Sequence, residues 1–171
     1  MHSLDILKEL VDHMNWADAK IWGTVLSISA AQEDEKLKKI LHHYQLTKNA
    51  FYYIWAGLPL EFPGFSRFKT FHDMAVWASE YPELIQTWLT GLKEKDLNRI
   101  IKIPWSERFE KVLGKKPSDA NLAETILQVA AHSSHHRGQV NSRIRELKGE
   151  PPLVDFIAWV WLGKPDAVWP V

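Results

Sequence analysis

The chain has 171 residues, no cysteine, and 21 basic side chains balanced by 21 acidic ones. That length suits one domain with its own core and is short for two, so a single domain over residues 1–171 is expected. The lack of cysteine excludes disulfides and thiolate ligands. The balanced charge offers neither a basic field to attract nucleic acid nor an acidic excess that favours disorder.

A first helix is expected over about residues 4–28, where Leu4, Leu7, Val11, Met14, Ile21 and Val25 recur at three- and four-residue steps, with Ser3 as its cap. The opening MHSLDILKELVDHMNW has no apolar centre of the signal-peptide kind, and no run of about 18 apolar residues follows. A soluble, cytoplasmic protein with no membrane partner is the expectation. A second helix over residues 34–56 carries Leu37, Ile40, Leu41, Tyr44, Phe51, Ile54 and Trp55 as its stripe, and Gly57, Pro59, Pro63 and Gly64 stop it. Its lysines at 36, 38 and 39, like Lys115 and Lys116 further on, read as solvated surface. A third helix over residues 70–93 should be kinked or delayed by Pro82. Over residues 97–118 the run IIKIPWSERFEKVLGKKPS changes to short alternation, which suggests a small β-ribbon or an ordered loop. A fourth helix over residues 119–148 ends at Gly149, before Pro151 and Pro152, and VDFIAWVWLG adds a short apolar helix. The fold class is all-α.

Histidines turn this helical pattern into a functional expectation. Five of the eight lie in two stretches, LHHYQLTKNAF with His42 and His43, and QVAAHSSHHRGQ with His132, His135 and His136. Residues four apart share a helix face, so His132 and His136 can hold one ion, and a third ligand is available if the second and fourth helices face each other. At about 100° per residue, His136 and His132 flank the apolar stripe of Leu122, Ile126, Val129, Val140 and Leu147, and His135 points away from it. On the second helix His43 flanks the stripe, while His42 projects with Lys38, Lys39 and Asn49 nearly opposite the core. The projection therefore selects His43, His132 and His136, and leaves His42 and His135 as supporting or surface residues.

Spacing alone leaves two readings open, a metal site and hydrogen-bonded structural histidines. Ser133 stands where the zinc-protease HExxH pattern needs its glutamate. No Asp or Glu is followed three residues later by His, so the ExxH pattern of di-iron bundles is absent as well. What remains is a mononuclear site built from histidine. Around it, Gln128 and Gln139 are candidates to orient the imidazoles, and Thr47 to contact a metal-bound water. Arg137 is expected in a structural ion pair, and Gly138 to allow close helix packing. Most of the nine tryptophans should be packing residues, with Trp105, Trp159, Trp161 and Trp169 available to line a pocket or a dimer surface.

LVDHMNWADAKIW near the start, His43 followed by Phe51, and above all AHSSHHRGQVNSRIRELKGEPP resemble the DinB-like superfamily of metalloenzymes over nearly the full chain. The resemblance implies a four-helix bundle, commonly in up-down-down-up order, and three metal ligands that fall on His43, His132 and His136. It places a divalent ion (Zn, Ni, Fe or Mn) near one end of the bundle at the foot of an open pocket. Such an ion lowers the pKa of bound water to about 7 or holds a thiol as its thiolate. The implied activity is that of the bacillithiol and mycothiol S-transferases, with a low-molecular-weight thiol as small-molecule substrate. The alternatives are a metal-dependent hydrolase and a non-catalytic, stress-related metal-binding module. A homodimer is expected and a nucleic-acid partner is not.

Overall fold

Residues 3–171 are described in a computed structural model, and they are mostly helical. In chain order the elements are α1 (Ser3–Ser27), α2 (Ser29–Gln32), α3 (Glu35–Ala56), α4 (Phe71–Ser79), α5 (Tyr81–Thr90), β1 (Ile100–Ile101), α6 (Glu110–Leu113), β2 (Ala120–Asn121), α7 (Leu122–Glu146) and α8 (Phe156–Trp161). Among the described residues the only strand pairing is β1 with β2, antiparallel, with Ile101 opposite Ala120. The segment read as a ribbon or an ordered loop is both: a two-residue ribbon carries an exposed excursion that holds α6. No helix of the described residues is long and apolar enough to cross a membrane.

Local chemistry explains the boundaries. Asp34 accepts a hydrogen bond from the Leu37 N–H at 2.7 Å and starts α3. Thr70 with Asp73, and Asn121 with Glu124, form reciprocal capping boxes at α4 and α7. The third expected helix is two helices, because Pro82 has no N–H to give and sits in the first turn of α5. At the other end of α7, a Cβ on Gly149 would lie 2.5 Å from Ile28 Cδ1 and 3.0 Å from Ile144 Cγ2, so a side chain here would make both isoleucines shift. One expected cap is corrected. Ser3 is itself helical, and the N–H groups of Ser3 and Leu4 donate to the Glu94 carboxylate at 3.1 and 3.0 Å. The position before Ser3 lies outside the described residues.

Two apolar clusters form the core. The first joins Leu4 of α1, Trp55 of α3, Leu89 of α5 and Leu122 of α7. The second joins Val25 of α1, Leu37 of α3, Phe71 of α4 and Ile144 of α7. Thus α1 and α7 run from the first cluster to the second, and α3 and the α4–α5 pair run back. Two bonds pin α3 against α7 in that sense: Trp55 Nε1 donates to Thr125 Oγ1 at 2.9 Å, and Arg143 grips Asp34 through Nε at 3.1 Å and Nη2 at 2.5 Å.

A charged layer joins three helices. Asp18 of α1 is 0 % exposed and is shared by Lys48 Nζ of α3 at 2.6 Å and Arg137 Nη1 of α7 at 2.9 Å. The ion pair expected for Arg137 is present, and its partner is this carboxylate. Removing one member of a buried ion pair strands the rest in low dielectric and costs about 3–5 kcal/mol. Asp18→Asn should therefore lose about that much stability in urea unfolding, while the exposed Asp119→Asn should change little. An Asp18→Asn protein as stable as the wild type would contradict this role.

Candidate metal centre

Helices α3 and α7 bring His43, His132 and His136 together, with one ligating nitrogen from each lying within 4.8 Å of the others. The Nε2 atoms of His132 and His136 are 3.1 Å apart. Two nitrogens about 2.0–2.1 Å from one ion stand about 2.8–3.4 Å apart at octahedral or tetrahedral angles, so this pair already has the spacing of a shared ion. His43, the exposed member, is set wider, its ring centroid 5.3 Å from that of His132 and 4.8 Å from that of His136, against 4.3 Å between those two. The three ligands sit between the Trp55–Thr125 and Asp34–Arg143 pins, further along the helices than the place near one end of the bundle that the resemblance implies.

Hydrogen bonding sets the tautomers. Gln139 Oε1 is 2.7 Å from His136 Nδ1, so that nitrogen carries the proton and His136 Nε2 keeps its lone pair for an ion. Gln139 Nε2 in turn donates to His135 Nε2 at 3.1 Å. With no ion, the short Nε2–Nε2 approach needs one proton, donated by His132 Nε2; an ion takes that proton's place. His132 Nδ1 is buried without a hydrogen-bond partner, so apart from its Nε2 contact with His136 the ring is held by packing.

Electrostatics keep the donors neutral, as ligation requires. Burial, and then the neighbouring imidazoles His136, His43 and His135, lower the His132 pKa to about 4. Burial is also the leading cause that lowers His136 and His43. All three are lone-pair donors at neutral pH.

Several expectations for the surroundings need correction. His42 does not face solvent opposite the core; it packs against Phe65, Phe68 and Trp77, with Nε2 3.3 Å from the Pro63 carbonyl. Lys38 is likewise buried rather than solvated, and its Nζ donates to the carbonyls of Phe68 and Lys69 at 2.9 and 3.3 Å. The chain after α3 folds back over this face and supplies oxygens that no periodicity in α3 reveals. Thr47 donates its hydroxyl proton to the His43 carbonyl at 3.0 Å, within its own helix. Gln128 is exposed and makes no hydrogen bond to the histidines. A Cβ on Gly138 would meet nothing within 4 Å, so close packing is not its role. Of the four tryptophans singled out, Trp105 packs on Phe51 and Trp169 against the second core cluster, Trp159 lines a surface pocket, and Trp161 is 78 % exposed.

An open groove of about 980 Å³ runs beside the cluster between α3 and α7, lined by Lys39, Ile40, His135, Gln139 and Arg143 among others. The link from His136 through Gln139 to His135 thus borders both the ligands and the groove. Projection leaves His135 as a supporting or surface residue, and its hydrogen bond to Gln139, which in turn bonds His136, gives it the supporting place.

No protein-family model matches the chain, and no curated protein matches it either.

Purified protein should carry about one divalent ion per chain by elemental analysis. His43→Ala, His132→Ala and His136→Ala should each abolish it, and His42→Ala should retain it. Gln139→Ala should weaken affinity by about 10–100-fold, the usual cost of losing a partner that orients a ligand. Equal metal content in all of these variants would overturn the assignment.

Proposed function

We propose that the protein is a metal-dependent enzyme of the DinB-like type, a single-domain four-helix bundle in up-down-down-up order with thiol S-transferase activity. The observation that carries this reading is the convergence of three neutral imidazoles, from two antiparallel helices, within 4.8 Å. The bundle order is supported by the two core clusters, between which α1 and α7 run one way and α3 and α4–α5 the other.

A divalent ion on His43, His132 and His136 supplies Lewis acidity that stabilises a thiolate at neutral pH. Zn, Ni, Fe and Mn all suit imidazole donors. The chain's own residues do the positioning. Gln139 fixes the His136 ring, and the groove along Ile40, His135 and Gln139 accepts a small substrate from solvent. Arg143 is committed to Asp34 and Glu146, which leaves the exposed Lys36 and Lys39 as cations for an acidic group on the thiol.

Thiol chemistry is favoured over hydrolysis because, among the described residues, these imidazoles hydrogen-bond to Gln139 and to one another and to no carboxylate. A thiol, with a pKa near 8.5, needs far less help from a general base than bulk water at 15.7. In the transfer, the sulfur forms a bond to an electrophilic carbon, the leaving group departs with its electron pair, and the thiol proton goes to solvent.

The metal-loaded protein should accelerate conjugation of a small thiol to an epoxide or an activated aryl halide. Chelation should abolish the rate, and restoring metal should rescue the native protein but not His136→Ala. Turnover of ester or amide substrates in place of thiol transfer would replace this reading with a hydrolase. Inert panels with intact metal binding would leave a non-catalytic module.

We also infer a homodimer. Apolar surface near the C-terminal end supports it, with Trp161 78 % and Leu162 64 % exposed. Light scattering at micromolar concentration should give twice the chain mass, and a monomeric mass would refute it.

A further inference from the structure

The opposite side of α7 from the metal ligands carries a second pocket, of about 530 Å³, closed by the chain that follows α7. Ser134, Arg137, Asn141 and Arg145 line it from α7, and His13 lines it from α1. At about 100° per residue these α7 positions lie roughly half a turn around the helix from His132 and His136. The two sites are therefore separated by the helix itself.

The charge balance behind this pocket is uneven. Lys48 and Arg137 are both buried and share the single carboxylate of Asp18, so one positive charge has no buried counter-ion among the described residues. Burying unbalanced charge is costly. Arg137 is the member of this trio that lines the pocket, and of its five N–H donors only Nη1 is engaged by a side chain. Arg145 has no carboxylate within ion-pair distance among the described residues.

The pocket also carries an acceptor. Asp155 lines it, exposed and with no ion pair among the described residues, while Asn141 lines it with its Oδ1 buried out of reach of solvent. His13 cannot serve either group through Nε2, which donates to the Val154 carbonyl at 2.9 Å. The remaining wall is apolar, made by Pro151, Pro152, Leu153 and Phe156. Two guanidiniums suit a carboxylate, the Asp155 carboxylate suits a cationic donor, and the wall suits a hydrocarbon.

We propose that this pocket binds a small apolar α-amino acid, its carboxylate between Arg137 and Arg145, its ammonium toward Asp155, and its side chain on the Pro151, Pro152 and Phe156 wall. Bidentate guanidinium–carboxylate pairing supplies most of the affinity. The ammonium contact supplies the discrimination against simple fatty acids.

The test is an amide-shift titration of the full chain with L-leucine, with its desamino analogue 4-methylpentanoate, and with inorganic phosphate, at constant ionic strength. L-leucine should saturate and should bind more tightly than 4-methylpentanoate, with phosphate weakest. Arg145→Gln and Asp155→Asn alter side chains near the surface, and each should lower leucine affinity by about tenfold or more, the worth of a hydrogen bond to a charged group. Lys39→Gln, in the other groove, should leave it unchanged. Equal binding of leucine and 4-methylpentanoate, or leucine binding indifferent to Arg145→Gln and Asp155→Asn, would overturn the assignment. So would the absence of any saturable shift.

Discussion

Asp18 has no exposure to solvent, and the cations that neutralise it arrive from two other helices, Lys48 from α3 and Arg137 from α7. A buried carboxylate with two cations is stable only while the geometry is kept, because a displaced partner leaves an unpaired charge in low dielectric. That requirement fixes the rotation of α3 and α7 about their axes. Lys48 lies five residues after His43, and Arg137 directly follows His136. Once both cations face inward onto Asp18, His43 and His136 are turned toward the shared flank of the two helices. The imidazoles need no salt bridge of their own to meet, and His132 and His136 find their polar partners in each other and in Gln139.

The same constraint divides α7 into two chemical faces. One carries His132, His136 and Gln139 and borders the open groove shared with α3. The other carries Arg137, Asn141 and Arg145 and borders the pocket closed by the chain after α7. Neutral nitrogen donors suit an ion, and guanidiniums suit a carboxylate; placing them on opposite faces keeps the positive charge of Arg137 away from a cation site. Gly138, with open space where a side chain would stand, lines both cavities and lets each extend across the helix surface.

Much of this was legible in the sequence because it rests on local periodicity. The apolar stripes of α1, α3 and α7 mark buried faces, and Leu4, Val11, Leu37, Leu41, Ile126 and Val140 are all buried as their spacing predicts. Projection of the same helices selected His43, His132 and His136, which do converge. The failures share one cause, partners supplied from far along the chain. Glu94, not Ser3, satisfies the first N–H groups of α1. Carbonyls at Pro63, Phe68 and Lys69 cover His42 and Lys38, so a face that reads as polar and solvated is interior. Asp18 carries a signal that could have been used, a carboxylate four residues after Met14 and three before Ile21 on an apolar face. Nothing local names the cations that answer it.

The central claim, three imidazoles on one ion, is tested most directly by X-ray absorption at the metal edge of the loaded protein. The account predicts a first shell containing three imidazole rings with metal–nitrogen distances of about 2.0–2.1 Å for zinc, reduced to two rings in His43→Ala if the ion is retained at all. A shell of oxygen scatterers without the outer-ring signature of imidazole would contradict it.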